Sequence, residues 1–228
     1  AGPQISACNA AAIKRKTGSS PQRLAAAGEL QRWQLSLDAM RDRLLATRFV
    51  GLVLDYDGTV VDTRDRFSPP LTVIQDELVR VLEADVWVAF ATGRGASIRR
   101  DLQGFLPSSL WRKVLIGYYN GAEVSGLEDD GAPDGRNEAG DDLKVIANAL
   151  LAQPELAHAA KQTDRPRQIT LEGARVLPEA RLWDLAQQVI LATRARNLRV
   201  TRSSHSIDIV PEEVSKLNVV TRLRAEIG

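Results

Sequence analysis

Three short runs of apolar residues recur in the first half of the chain, and each run stops at polar residues. They occupy 49–54, 86–91 and 114–119, and the segments between them, 71–83 and 96–106, have helical periodicity. Strands that are apolar throughout are typical of parallel sheets covered on both faces. The order strand, helix, strand, helix, strand therefore predicts an α/β fold with a doubly wound parallel-sheet core.

The second half of the chain has a different pattern, in which helical segments alternate with strands of mixed polarity. Residues 143–152 and 178–195 have helical periodicity, whereas 168–172, 198–202 and 206–210 have the pattern of strands. We interpret this part as an α+β cap domain inserted into the core, because the pattern before it is that of the parallel sheet.

The segment before the first apolar run divides into two parts. Residues 1–21 mix Gly, Pro, Ser and Ala with a short basic cluster, which indicates a linker or flexible lead-in. Residues 22–47 predict one amphipathic helix, because apolar side chains recur three and four positions apart. Its apolar face consists of Leu30, Trp33, Leu37, Met40 and Leu44. This face predicts either docking on the following domain or a coiled-coil or dimer helix.

These patterns divide the chain into five segments. The acidic stretch 123–142 is expected to be an exposed loop or hairpin, without an assigned role. The predicted order is a lead-in over 1–21, a helix over 22–47, the first part of the core over 48–122, the cap over 123–205 and the second part of the core over 206–228.

Composition excludes several classes of protein. The 228 residues are 44% hydrophobic and 26% charged, with a net charge of +1, which excludes disordered and fibrous chains and gives no indication of nucleic-acid or membrane-surface binding. One cysteine permits no intrachain disulfide, and no apolar run is long enough to span a membrane. We therefore expect a cytoplasmic protein. The chain begins with Ala1 and ends on a helical pattern, from which we expect a longer polypeptide with further domains.

Polar residues with chemical potential follow the apolar runs. Asp55 and Asp57 follow the first run, and side chains two positions apart on extended backbone project to the same side. Thr92, Gly93 and Arg94 follow the second run, where a hydroxyl and free N–H groups at a strand-to-helix turn can hold phosphate. Taken alone, the first pattern also occurs in calcium loops and the second in helix caps.

Together these segments resemble the signatures of the haloacid dehalogenase superfamily of phosphatases and phosphotransferases. The sequence has DYDGT at 55–59, ATGR at 91–94, NGAE at 120–123 and IDIVPEEVSK at 207–216. The position of the predicted cap is similar to that in the branch of trehalose-phosphate phosphatase, sucrose-phosphate phosphatase and phosphomannomutase. This resemblance covers about 48–228 and implies a Rossmann-like core.

The resemblance implies a role for each of these residues. Asp55 would be the nucleophile that forms an aspartyl-phosphate, and Asp57 would be the general acid and base. Mg²⁺ would be held by Asp55 and by the backbone carbonyl of Asp57. The remaining implied positions are Thr92, Gly93 and Lys216 for phosphate, with Arg94 and Asn120 for phosphate or substrate.

The resemblance also leaves alternatives open. The superfamily has a fourth acidic motif, and only 12 residues follow Lys216 here, which implies either that the motif lies downstream in a longer protein or that the chain is a catalytically impaired binding module. The expected reaction is hydrolysis of a small phosphomonoester, with a sugar phosphate first; the alternative is a phosphomutase or phosphotransferase. The polar cap positions considered for substrate contact are Arg165, Arg167, Gln168, Arg175, Arg202 and His205.

Overall fold

The computed structural model of the chain describes residues 6–62, 68–133, 140–173, 177–202 and 206–228. The chain divides into two compact units, Ala1–Phe49 and Val50–Gly228. In the described residues no helix is both long and apolar enough to cross a membrane.

The first unit contains three helices, α1 (Ala7–Thr17), α2 (Pro21–Ala26) and α3 (Glu29–Ala46). The prediction of a flexible lead-in is wrong for the described residues. The Ser6 side chain caps α1 by accepting the Asn9 N–H, and Ser20 followed by Pro21 starts α2 in the same way.

The single helix predicted over 22–47 is also corrected, because it is divided into α2 and α3. Gly28 separates them with a φ of 72°, a left-handed conformation that a helix interior cannot contain. None of the residues of α3 is buried. The apolar face of α3 is therefore not covered within its own unit.

The predicted doubly wound core is confirmed in the second unit. Strands β1 (Gly51–Asp55), β2 (Trp87–Ala91) and β3 (Val114–Tyr118) are parallel and adjacent in that order. A fourth strand, β4 (Glu123–Gly126), pairs antiparallel with β3. It falls within the acidic stretch, so the expected loop starts later than 123.

Helices cover both faces of this sheet because consecutive strand residues point to opposite sides. The helix α4 (Thr72–Glu83) contributes Leu78 and Leu82 to the cluster that contains Val88 and Phe90 of β2. The C-terminal helix α9 (Leu217–Ile227) packs against the other side of the same strand. The short helix α5 (Ser97–Gln103) follows β2.

The cap is a separate antiparallel sheet with helices on one side. Besides the two helices and two strands predicted for the cap, it contains a further helix at Pro154–Ala159 and a further strand at Ala160–Arg165. It also contains the strand at Ser206–Pro211, which the predicted boundary places in the core. The elements are α6 (Asp141–Ala152), α7 (Pro154–Ala159), β5 (Ala160–Arg165), β6 (Gln168–Gly173), α8 (Glu179–Thr193), β7 (Leu198–Arg202) and β8 (Ser206–Pro211). The strand order is β5-β6-β8-β7, and its apolar face packs on α6 and α8.

Both predicted boundaries of the cap are corrected. Leu127 and Ala132 are buried in the hydrophobic cluster of the core, so the first part of the core does not stop at 122. The return to the core was predicted at 206, but β8 lies between β6 and β7 in the cap sheet. Ile207 and Ile209 fill the cap core, so the cap extends through Pro211.

Candidate active site

The loop after β1 places two carboxylates at the same end of the sheet. Asp55 is the last residue of β1, and Asp57 lies two positions further on. The residue between them points the other way, because Tyr56 is fully buried and packs edge-on against Phe90 with ring centroids 5.9 Å apart. Gly58, with a φ of 87°, turns the chain immediately afterwards. Burial of Tyr56 thus fixes the loop and leaves both carboxylates on the cavity side.

The loop after β2 contributes the groups that hold Asp57. Arg94 donates through Nη2 to Asp57 Oδ1 at 2.6 Å and through Nε to both carboxylate oxygens at 3.0 and 3.2 Å. The Thr92 hydroxyl donates to Asp57 Oδ2 at 3.3 Å. Arg94 Nη1 donates to Asp101 at 3.1 Å, and its guanidinium lies 4.8 Å from the Tyr56 ring centroid. These contacts lock the guanidinium in one orientation.

Asp101 lies at the edge of this network, where two effects on its carboxyl oppose each other. Burial raises the pKa of Asp101, and the neighbouring Arg94 guanidinium lowers it by a smaller amount. Asp101, the second carboxylate that Arg94 contacts, therefore lies in a less hydrated environment than an ordinary surface aspartate.

Lys216 reaches the same place from the segment that returns from the cap. Its Nζ donates to Asp55 Oδ1 at 2.5 Å, and both side chains are about half exposed to the cavity. The backbone beside it is tightly packed, because a Cβ at Gly121 would lie 2.1 Å from the Ser215 carbonyl oxygen. Asn218 ties the two segments by donating to the Gly121 carbonyl at 3.0 Å. Lys216 is thus positioned against the loop after β3.

The loop after β3 also supports the loop after β2. Tyr119 and Asn120 have φ values of 50° and 61°, which side chains other than glycine adopt only where the surroundings require it. Asn120 N–H donates to the Thr92 carbonyl at 2.7 Å, and Tyr119 N–H donates to the Arg94 carbonyl at 3.0 Å. The Asn120 side chain then donates to Gln168 of the cap at 3.2 Å. Asn120 therefore joins core and cap.

The cap presents the polar face of its sheet to these loops. Gln168 Nε2 donates to Thr170 Oγ1 and to Asp208 Oδ1, both at 2.9 Å. The Thr170 hydroxyl donates to Asp208 at 2.8 Å and accepts from Arg165 at 2.9 Å. Gln168 and Thr170 are buried, and their hydrogen bonds satisfy polar groups that would otherwise be costly to bury. We call Arg165, Gln168, Thr170 and Asp208 the cap network.

The core loops and the cap network line one cavity of about 720 Å³. Six of the seven predicted site residues line it, namely Asp55, Asp57, Gly93, Arg94, Asn120 and Lys216. The seventh, Thr92, is 1% exposed and lies behind Asp57, to which it donates. A Cβ at Gly93 would come no closer than 3.6 Å to the Asn120 side chain, so this glycine is not required by local packing.

Several of the cap positions predicted from the sequence lie elsewhere. Of the six, Arg165 and Gln168 line the cavity. Arg167 instead pairs with Glu213, and the Arg202 guanidinium lies 5.9 Å from the Trp183 ring centroid. Arg175 and His205 lie outside the described residues.

Sequence reasoning missed part of the cavity lining. The missed residues are Ser97, Arg100, Asp101, Thr170, Glu172, Ser206 and Asp208. The four residues in the cap could have been predicted from the sequence, because polar residues at every second position of β6 and β8 lie on one face of the sheet. The three on α5 have no such signal, since nothing in their spacing separates them from a solvated helix surface.

The predicted metal ligands can be compared with what Mg²⁺ requires. In the described ranges no three His, Cys, Asp or Glu side chains are grouped as a metal site. Asp55 and Asp57 both line the cavity with oxygen donors. Mg²⁺ is commonly bound by one or two carboxylates, with water and substrate phosphate completing its shell. The donor set therefore fits a magnesium ion bound together with a phosphorylated substrate.

Solved structures with this architecture include haloacid dehalogenase-like hydrolases, and the chain has the fold of that superfamily. A sucrose-phosphatase from Synechocystis, solved with sucrose and phosphate, is 19% identical, covers 79% of this chain and 71% of its own, and has a TM-score of 0.51. A trehalose-6-phosphate phosphatase from Aspergillus fumigatus is 15% identical over 78% of this chain and 66% of its own, with a TM-score of 0.51.

A third neighbour is a sugar phosphatase of subclass IIB in the same superfamily. It is 14% identical, covers 78% of this chain and 76% of its own, and has a TM-score of 0.54. No protein-family model matches the sequence, and no curated protein matches it. The likeness therefore concerns the fold, and it confirms the fold predicted from the motifs.

Proposed function

We propose that the chain is a Mg²⁺-dependent phosphomonoester hydrolase that acts on a sugar phosphate through an aspartyl-phosphate on Asp55. The observation that carries the proposal is the convergence of Asp55, Asp57 and Lys216 in one cavity. Asp55 and Lys216 lie 161 positions apart in the sequence, and the fold joins their side chains by a hydrogen bond of 2.5 Å.

The geometry supports a displacement in two steps. Asp55 attacks the phosphorus, the bond from phosphorus to the leaving oxygen breaks, and Asp57 gives that oxygen a proton. Asp57 then takes a proton from a water molecule that attacks the phosphorus, which releases inorganic phosphate and restores the Asp55 carboxylate. Magnesium held by Asp55 and Asp57 would neutralise negative charge on the phosphoryl group.

Lys216 and the loop after β2 support the transferring group. Lys216 Nζ contacts the Asp55 oxygen, so the same ammonium can contact the phosphoryl oxygens that Asp55 receives. Arg94 and Thr92 hold Asp57, which keeps the proton donor next to the nucleophile. Their contribution is to orient Asp57 rather than to bind phosphate directly.

The cap network supports a polyhydroxylated leaving group. The cap network lines the cavity with carboxylate, amide, hydroxyl and guanidinium groups, which include both donors and acceptors. Sugar hydroxyls need both kinds of partner. A volume of about 720 Å³ is within the range of pockets for small ligands. The neighbours that carry the names sucrose-phosphatase and trehalose-6-phosphate phosphatase have the same fold.

The test is phosphate release from a panel of sugar phosphates, nucleotides and an aryl phosphate, with and without Mg²⁺. We expect release to require Mg²⁺, to be lost with a chelator and to return when Mg²⁺ is restored. Asp55→Asn should lower it by at least about 1,000-fold, because the nucleophile is removed. Asp76→Asn, an exposed change on α4 outside the cavity, is the matched control and should retain the rate.

Two outcomes would change the proposal. Release that persists in Asp55→Asn would contradict the role of this carboxylate. Transfer of the phosphoryl group to an added sugar in preference to water would indicate a phosphomutase or phosphotransferase, which uses the same first step.

A further inference from the structure

The exposed apolar face of α3 has the geometry of a helix-pairing surface. Leu30, Trp33, Leu37, Met40 and Leu44 follow one another at intervals of three, four, three and four residues. At 3.6 residues per turn they fall within an arc of about 80°. Trp33, Leu37, Met40 and Leu44 are between 38% and 58% exposed. Large apolar side chains gathered in one stripe of this kind mark an interaction site.

This spacing assigns heptad positions to the helix. Leu30, Leu37 and Leu44 occupy a positions, and Trp33 and Met40 occupy d positions. The residues that flank such a seam, at e and g, determine which partner and which orientation are favoured. On one flank, the g positions are Glu29, Ser36 and Arg43; on the other, the e positions are Gln34 and Arg41.

The flanking charges favour antiparallel pairing of α3 with itself. When Leu30 of one copy packs against Met40 of the other, the g positions of the two helices face each other. Glu29 of each copy then lies beside Arg43 of the other copy, which gives two opposite-charge pairs related by a two-fold axis. The Glu29–Arg32 pair within the helix is largely exposed, so exchanging it costs little.

Parallel pairing lacks this complementarity. In a parallel pair each g residue faces the e residue five positions later in the other helix. Glu29 would then face the uncharged Gln34, and Ser36 would face Arg41, whereas the position opposite Arg43 lies beyond the end of α3. No opposite-charge pair would form along the seam.

We propose that α3 forms an antiparallel homodimer in which the apolar face of one copy packs on that of a second copy. The inference is independent of the proposed catalytic function. The helix has 18 residues and is about 27 Å long at 1.5 Å per residue. Such a short seam belongs at the small end of specific interfaces, and we expect dissociation in the micromolar range.

The first test is sedimentation equilibrium of the full chain over a range of concentrations. We expect a reversible monomer–dimer equilibrium. Leu37→Asp should weaken it by at least about 100-fold, because it places a charge in the middle of the seam. Leu35→Asp is the matched control: Leu35 is 63% exposed and points away from the seam, so this variant should dimerise as the original chain does.

The second test determines orientation by mixing two charge variants. Glu29→Arg alone and Arg43→Glu alone should each weaken dimerisation by about tenfold, because both create two like-charge pairs. A one-to-one mixture of the two variants should restore it, since position 29 of each chain then faces an opposite charge at position 43 of the other. Helix content measured by circular dichroism separates loss of pairing from loss of the helix.

Three results would overturn the proposal. A chain that stays monomeric into the hundreds of micromolar has no such interface. A dimer that is unaffected by Leu37→Asp uses another surface. A dimer that neither Glu29→Arg nor Arg43→Glu weakens does not pair Glu29 with Arg43 across the seam.

Discussion

The core loops and the cap network lie on opposite sides of one cavity, but the sequence encodes them differently. In the core, Asp55 is the last residue of the otherwise apolar strand β1, and Thr92 follows directly after the apolar strand β2. In the cap, Gln168 and Thr170 alternate with the buried residues Ile169 and Leu171 of the same strand. Polar residues at the carboxyl ends of parallel strands meet at one edge of the sheet, because the strands run in the same direction. Polar residues at every second position of a strand lie on one face of the sheet, because successive side chains point to opposite sides.

The two regions also differ in how their residues are held. The core loops are fixed by their backbones: the Asn120 N–H donates to the Thr92 carbonyl, and Gly121 lies against Ser215. The cap network is fixed by hydrogen bonds between side chains, in which Asp208 accepts from both of its neighbours on β6. We therefore expect the core to carry the reaction common to all substrates, and the cap to distinguish among leaving groups.

Among the single substitutions that compare core and cap, we expect the largest loss of rate from Lys216→Ala. Lys216→Ala should lower kcat by about 100-fold for every substrate, since the lost ammonium contacts the group common to all of them. Phosphate release measured across the panel checks this. Arg222→Ala, on the helix that follows Lys216 and paired with Glu226 at the surface, should leave the rates unchanged. A loss confined to one sugar phosphate would place Lys216 with the leaving group instead.

A smaller and selective effect is expected from the cap. Gln168→Ala should lower kcat/KM by about tenfold for the preferred sugar phosphate, because it removes a member of the cap network that faces the leaving group. An aryl phosphate, which has no hydroxyls to bind, should be nearly unaffected. Lys161→Ala, at an exposed position of the same sheet, is the control. Equal losses for both substrates would contradict the division between core and cap.

The fold of the core was predictable because each signal is local. A continuous apolar run, a polar stop and a helical segment repeat along the chain, and they predict both the parallel strands and the edge at which Asp55, Thr92 and Asn120 meet. Helix α1 was less evident, because small residues and a basic cluster also suit a linker. Ser6 is the capping signal that could have identified α1, and Ser20 is the corresponding signal for the separate helix α2.

The boundary of the cap was harder to predict. The predicted boundary at 206 places β8 in the core, yet this strand alternates Ser206, Ile207, Asp208 and Ile209, the pattern of a sheet with one polar face. By contrast, β4 has no clear pattern of its own. Its pairing with β3 over Glu123–Gly126 depends on tertiary contacts that periodicity does not contain.

The smallest effect is expected for Tyr56, the buried residue between Asp55 and Asp57, and it concerns the free energy of unfolding. Within the described part of the chain, the hydroxyl of the buried Tyr56 has no hydrogen-bond partner. Tyr56→Phe removes this polar group and retains the ring that packs on Phe90. The free energy of unfolding should rise by up to about 1 kcal/mol, measured by urea denaturation. A loss of several kcal/mol would mean that the hydroxyl is satisfied.

Trapping the intermediate would show whether Asp55 receives the phosphoryl group. The full chain would be mixed with Mg²⁺ and the best sugar phosphate of the panel, radiolabelled in its phosphoryl group, and quenched in acid within one turnover. We expect label bound covalently to the chain, on the peptide that contains Asp55, and no label on Asp55→Asn. Rapid phosphate release with no label on the chain, or label retained in Asp55→Asn, would contradict an aspartyl-phosphate on Asp55.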